Sequence, residues 1–195
     1  MTDQFKRLAK KYKTPQQVQR YLRQLSYNAE EKGETLMSAA LALKKKKAHC
    51  LEAAFIAAAI LENHGYPPLV MSLESIDDLD HVIYVYKINN RWGSIARSRD
   101  EGLHGRKPVF RSLRGLALSY YEPYIDKTGC ITGFQVANLD QAGADWRSSK
   151  KNVWKAERFL IDIKHVQLGF NKKRYQKIHR RYLNGKRAQK QKSWL

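Results

Sequence analysis

Cysteine and long apolar runs are scarce in this 195-residue chain. Two cysteines, Cys50 and Cys130, exclude the disulfide framework of small secreted proteins. No apolar run approaches the roughly 18 residues that a membrane-spanning helix needs. The first residues also lack the apolar stretch of a secretory signal. We therefore expect a cytoplasmic protein with reduced thiols and no transmembrane segment.

Acidic residues are also scarce. The chain has 37 Lys and Arg against 18 Asp and Glu, which gives a formal net charge of +19. Such a charge attracts polyanions, either nucleic acid, an acidic protein or an anionic lipid surface. Ten of the cations lie in residues 171–195, which contain no acid. We interpret 171–195 as a basic C-terminal tail, which either binds a polyanion or is a solvated helix face or a disordered segment.

Two helices are predicted in an N-terminal helical segment, residues 1–47. Thr14 is a favoured N-cap and Pro15 suits the first helical position. The apolar spacing that follows is helical, at Val18, Tyr21, Leu22 and Leu25. A second helix is predicted from Glu34 to Leu43. The segment ends in four consecutive lysines, 44–47.

Residues 48–170 are predicted to form an α+β core. The alanine-rich run from Cys50 to His64 predicts a buried helix that stops at Gly65. A strand follows at 69–73, and then a hairpin whose strands, 81–88 and 91–98, flank an Asn-Asn turn. Later elements are a helix at 110–124, a strand at 132–137 and a helix at 151–163 that buries Trp154. The expected architecture is a central cysteine-bearing helix packed on an antiparallel sheet.

One cysteine–histidine pair in this arrangement has the features of a catalytic site. Cys50 begins a helix, where free N–H groups and the helix dipole favour a thiolate. His81 begins the hairpin and is the best candidate for a base. With Asn89 and Asn90 as the turn, opposite residues sum to 179, so His81 is expected to face Ser98. The hydroxyl of Ser98 would then orient the imidazole.

The region from His49 to Ser98 resembles the transglutaminase-like superfamily. The resemblance rests on a Cys at the start of an Ala-rich helix, then a strand, then Asp-His opening a hairpin whose second strand begins with Trp. The stretches that carry it are Ala48-His49-Cys50-Leu51-Glu52-Ala53-Ala54, Asp80-His81-Val82 and Arg91-Trp92-Gly93, and they also resemble an uncharacterised bacterial branch of the superfamily.

This resemblance implies a papain-like fold and a Cys-His-Asp triad that acts on amide or thioester acyl groups. Cys50 and His81 match the first two roles. The usual Asp position corresponds to Ala96, so the resemblance leaves the third role without a carboxylate. Ser98 is the expected replacement. His49 is a second candidate base, and Asp78 and Asp80 are alternative orienting groups.

The expected function is that of a cysteine-dependent amide-bond hydrolase or acyl transferase that acts on a protein or peptide. The alternative is a catalytically degenerate papain-like domain that binds nucleic acid or an acidic partner through its basic surface. No cofactor is expected. No metal is expected either, because Cys50, His49 and His81 lack any recognised ligand spacing.

Overall fold

The structure, a computed structural model, describes residues 3–31, 33–169 and 171–192. The helices are α1 (Asp3–Lys11), α2 (Pro15–Leu22), α3 (Ala39–Lys45), α4 (Cys50–Leu61), α5 (Leu113–Tyr124), α6 (Trp154–Asp162) and α7 (Lys172–Lys192). The strands are β1 (Ser26–Tyr27), β2 (Lys47–Ala48), β3 (Leu69–Ser75), β4 (His81–Ile88), β5 (Arg91–Ile95), β6 (Arg106–Phe110), β7 (Ile131–Asn138) and β8 (Val166–Gln167). Short 3-10 turns lie at Glu62–His64, Glu101–Leu103 and Leu139–Ala142.

Six strands form one sheet in the order β6-β5-β4-β3-β7-β8, and every neighbouring pair is antiparallel. The expectation of a mixed α+β fold with an antiparallel sheet is confirmed. The predicted hairpin turn is also confirmed, because Ile88 pairs with Arg91 across Asn89 and Asn90. Both asparagines have positive φ, 47° and 58°, a conformation that asparagine tolerates better than most residues.

The two faces of the sheet cover different cores. On β4, Val82 and Tyr84 belong to the core that contains α4, whereas Ile83 and Val85 belong to the core that contains α5. Successive strand residues point to opposite faces, which explains this alternation. Burial on both sides accounts for the nearly continuous apolar sequence of β4.

Helix α4 is the central helix that the sequence predicts. All of its residues after Cys50 are buried, and alanine at five of its positions lets neighbouring elements approach closely. Helices α1, α2, α3 and strand β4 all pack against it. The 3-10 turn after α4 ends at Gly65, whose φ of 80° is the left-handed conformation that glycine adopts without strain.

Several local predictions are wrong. The helices predicted at 110–124 and 151–163 begin only at Leu113 and Trp154, and Phe110 ends the strand β6. The second helix begins after the N-cap Ser38 rather than at Glu34. Trp154, predicted to be buried, is 41% exposed, and α6 buries Ala156 and Leu160 instead. The pairing of the hairpin ends at Tyr84 and Ile95, so the strands separate before His81 and Ser98.

The basic segment contains the helix α7. Ile178 is buried in the same core as α5, and Tyr175 packs against that core. The guanidinium of Arg174 lies 4.9 Å from the ring centre of Tyr121. Within the described residues, no helix combines the length and apolar character required to cross a bilayer.

Candidate active site

Cys50 is the first residue of α4 and is partly exposed. His49, the N-cap residue, has extended backbone angles, and its N–H donates to Oε2 of Glu52 at 2.9 Å. A helix that begins here directs its first free N–H groups toward the thiol. The dipole of α4 therefore favours the negatively charged thiolate.

The carboxylate of Glu52 is fully buried and holds the segments around Cys50 together. It accepts hydrogen bonds from the N–H of Met37 at 2.8 Å and from Nδ2 of Asn28 at 3.1 Å. Nε2 of His49 lies 3.5 Å from Oε1 of Glu52 and 3.1 Å from the carbonyl oxygen of Thr35. These acceptors fix the orientation of the His49 ring beside the thiol.

The thiol of Cys50 has hydrogen bonds with the imidazoles of both His49 and His81. Burial alone would raise the pKa of this thiol, but those bonds and the positive charge of the two rings hold it well below its usual value of 9.0. Burial would lower the pKa of His49, whereas the bond to Cys50 and the negative charges of Cys50, Glu52 and Glu30 raise it to about 9. His49 is therefore a cation at neutral pH, and its charge favours the thiolate form of Cys50.

His81 is the first residue of β4, and its ring is buried. Nε2 of the ring lies 3.0 Å from the carbonyl oxygen of Leu103. A carbonyl oxygen only accepts hydrogen bonds, so Nε2 carries a proton in this arrangement. In the neutral ring, Nδ1 is then the nitrogen that can accept a proton. The Leu103 carbonyl occupies the orienting role that a carboxylate has in a Cys-His-Asp triad.

The loop that carries Leu103 is held at both ends by Gln19 of α2. The side-chain amide of Gln19 donates to the carbonyl of Ala96 at 2.9 Å, and its oxygen accepts from the N–H of Ala96 at 2.9 Å. The same oxygen accepts from the N–H of Gly105 at 3.2 Å. A Cβ at Gly105 would overlap this oxygen, so the close approach requires glycine.

Arg106 holds the same loop from the other side. Its guanidinium donates to the carbonyls of His104 at 2.7 Å and Gly102 at 2.6 Å, and it lies 4.1 Å from the ring centre of Tyr120. The ring of Tyr120 lies 6.1 Å from that of His81. The side chains of Gln19 and Arg106 thus hold the loop that carries the Leu103 carbonyl.

The structure brings Cys50 and His81 together but gives Ser98 a different contact. Oγ of Ser98 accepts from the N–H of Asp100 at 3.2 Å. Ser98 is not opposite His81, because Gln19 binds the backbone of Ala96 and ends the β4–β5 pairing. The contact that orients His81 in the structure is the carbonyl of Leu103.

The two acidic candidates for the orienting role also lie elsewhere. Oδ1 of Asp80 accepts from the N–H of Ser75 at 2.9 Å, and Asp78 occupies a tight turn with a φ of 60°. Among the described residues, no group of three or more His, Cys, Asp or Glu side chains is arranged to hold a metal ion.

Two arginines lie over the ring of Tyr27, which interacts electrostatically with Cys50. The guanidinium carbons of Arg97 and Arg99 are 5.6 and 5.7 Å from the ring centre of Tyr27. Burial, followed by the negative charge of Cys50, raises the pKa of Tyr27 to about 12, although the two arginines oppose the shift. Tyr27 is therefore a neutral phenol close to the thiolate, flanked by cations.

Iodoacetamide is expected to alkylate Cys50 at pH values well below 9.0, since the thiolate is the reactive form and its pKa is lowered. The rate should fall only when the pH drops through that lowered pKa. Cys130 is buried and burial raises its pKa, so it should react later. Quantitative mass spectrometry of both cysteines between about pH 5 and pH 10 measures this. Equal rates, or a faster Cys130, would contradict it.

Two parts of this site are not predicted in these roles by the sequence, namely the His49 cation and the Leu103 carbonyl. The sequence offers His49 only as a second candidate base. The contribution of Leu103 is a backbone carbonyl, which has no sequence signal.

No protein-family model matches this chain, and no curated protein matches it significantly.

Proposed function

We propose that the chain is a cysteine-dependent amide-bond hydrolase or acyl transferase of the transglutaminase-like type, acting on a protein or peptide. The observation that carries the proposal is the thiol of Cys50 at a helix N-terminus, hydrogen-bonded to two imidazoles and with a strongly lowered pKa. A partly exposed thiolate with adjacent proton donors is the arrangement that nucleophilic catalysis requires.

The proposed reaction has two stages. The Cys50 thiolate attacks the substrate carbonyl, and N–H groups at the start of α4 stabilise the oxyanion. The C–N bond then breaks, and the leaving amine takes a proton from the His81 imidazolium, which leaves a thioester on Cys50. In the second stage water or an acceptor amine attacks the thioester while His81 takes its proton. The acyl product leaves and the thiolate is restored.

Covalent acylation tests this proposal. The protein is incubated with the p-nitrophenyl ester of an acylated amino acid, and the expected product is a single acyl group on Cys50, mapped by peptide mass spectrometry. Release of many nitrophenolate molecules per protein is expected from the wild type and none above background from Cys50→Ala. Added hydroxylamine captures the acyl group if the enzyme transfers as well as hydrolyses. Acylation confined to Cys130, or no turnover, would overturn the proposal.

The second candidate function is a degenerate papain-like domain that serves as a binding module. It is favoured because the group that orients His81 is the neutral carbonyl of Leu103, where a Cys-His-Asp triad has a carboxylate. A carbonyl stabilises an imidazolium less than a carboxylate does. This candidate predicts that Cys50 is alkylated at low pH but never turns over an ester. The acylation experiment therefore separates the two functions.

A further inference from the structure

Helix α7 presents a continuous stripe of exposed polar side chains away from the core. Its members line one open groove and recur every three or four residues, at Lys173, Gln176, Lys177, Arg180, Arg181 and Asn184. At a rise of 1.5 Å per residue the stripe is about 16 Å long. We propose that this stripe, hereafter the α7 stripe, binds the phosphate backbone of double-stranded nucleic acid.

The orientation of the α7 stripe is fixed by the opposite side of the helix. Ile178 is buried in the core beneath α5, and Arg174 stacks over Tyr121. These contacts turn the stripe outward. Among the described residues, Arg181 of the stripe forms an ion pair with Glu122 at 3.5 Å, and both side chains are more than half exposed. Such a pair contributes little and leaves the charge available to a partner.

The chemistry of the stripe matches phosphates. Lysine and arginine supply charge, and asparagine and glutamine also donate hydrogen bonds to phosphate oxygens. A duplex carries about one negative charge per 1.7 Å of its axis, so a straight stripe of about 16 Å meets a regular array of anions. Residues 171–195 contain no acid that would repel such an array.

A lipid surface fits less well. A helix that lies in a membrane interface inserts apolar residues below the headgroups. On the described side chains of α7, Ile178 is buried against the protein, and Leu183 is the single exposed large apolar residue. Phosphates of a nucleic acid require no such insertion.

Charge substitution tests this proposal better than truncation, because removing α7 would also remove Ile178 from the core. The test variant is Lys173→Gln, Lys177→Gln and Arg180→Gln combined, since glutamine matches lysine and arginine in helix propensity. The matched control is Lys6→Gln, Lys10→Gln and Lys13→Gln. Those three lysines line a separate basic groove beside α1, so both variants lose three positive charges.

Binding is measured by fluorescence anisotropy of a labelled 20-base-pair duplex, about two helical turns, at several salt concentrations. The wild type should show a steep negative slope of log K against log salt. The test variant should lessen that slope by about 2.7 and weaken binding roughly tenfold or more at about 50 mM salt, as expected for three lost phosphate contacts. The control should retain the wild-type slope.

Two results would overturn the proposal. One is an equal loss of affinity in the control variant, which would mean that only the net charge matters. The other is binding to phosphatidylserine-containing vesicles without binding to the duplex. The same titration is made with an RNA duplex of the same length. Tighter binding to the RNA duplex would show that the α7 stripe prefers RNA to DNA. Alkylation of Cys50 at an unchanged rate shows that the test variant remains folded.

Discussion

Replacing Glu52 by alanine is expected to lower the free energy of unfolding by about 3–5 kcal/mol. The carboxylate is fully buried and accepts from the N–H groups of His49 and Met37 and from Nδ2 of Asn28. Alanine would leave these three donors without this acceptor. Each buried donor that loses its partner costs about 1–3 kcal/mol. Urea denaturation of wild type and variant, analysed by linear extrapolation, measures the difference.

The matched control is Glu122→Ala. Glu122 is exposed and pairs only with Arg181 in the described ion pairs, so its loss should cost no more than about 1 kcal/mol. The Glu52 variant should also require a higher pH for alkylation of Cys50, because the negative charge of Glu52 helps to keep His49 protonated. Similar stability losses for the two variants would refute the role assigned to the buried carboxylate.

Elements whose determinants are local could be predicted from the sequence. Thr14 accepts from the N–H of Gln17 and caps α2, as the Thr-Pro pair indicates. Asn89 and Asn90 adopt the turn that their side chains favour. Here the residues that specify the conformation are the residues that adopt it. The contact between Cys50 and His81 was also expected, from their positions at a helix start and a strand start together with the family resemblance of that region.

Elements set by distant hydrogen bonds could not be predicted in this way. The segment before α3 has helix-compatible residues, yet the N–H of Leu36 donates to Asn152 and that of Met37 donates to Glu52. These tertiary partners replace the intrahelical hydrogen bonds, so the helix α3 begins only after the N-cap Ser38. The predicted position of Ser98 opposite His81 is wrong for the same reason. Gln19 binds the N–H and the carbonyl of Ala96, so these groups do not pair with β4 and the strands separate.

The last prediction concerns the separate roles proposed for His81, as proton donor, and His49, as a cation beside the thiol. If His81 protonates the leaving group, His81→Ala should slow hydrolysis of an amide substrate by about 10²–10⁴-fold. The same variant should lose less with a p-nitrophenyl ester, because nitrophenolate leaves without protonation, and the remaining loss should come from the raised pKa of the Cys50 thiol once the His81 contact is gone. His49 is already a cation at neutral pH, since its pKa is about 9, and it stabilises the thiolate. His49→Gln should therefore slow both substrates by a similar factor and raise the pH at which Cys50 is alkylated.

The measurement is kcat/KM for both substrates across pH for wild type, His81→Ala, His49→Gln and Ser98→Ala. Ser98→Ala is the matched control, because its hydroxyl accepts from Asp100 and has no described contact with His81, so its pH profile should equal that of the wild type. If His49→Gln, rather than His81→Ala, shows the larger loss with the amide, then His49 is the proton donor. Because Leu103 orients His81 through its backbone, no side-chain substitution there should reproduce the His81→Ala result.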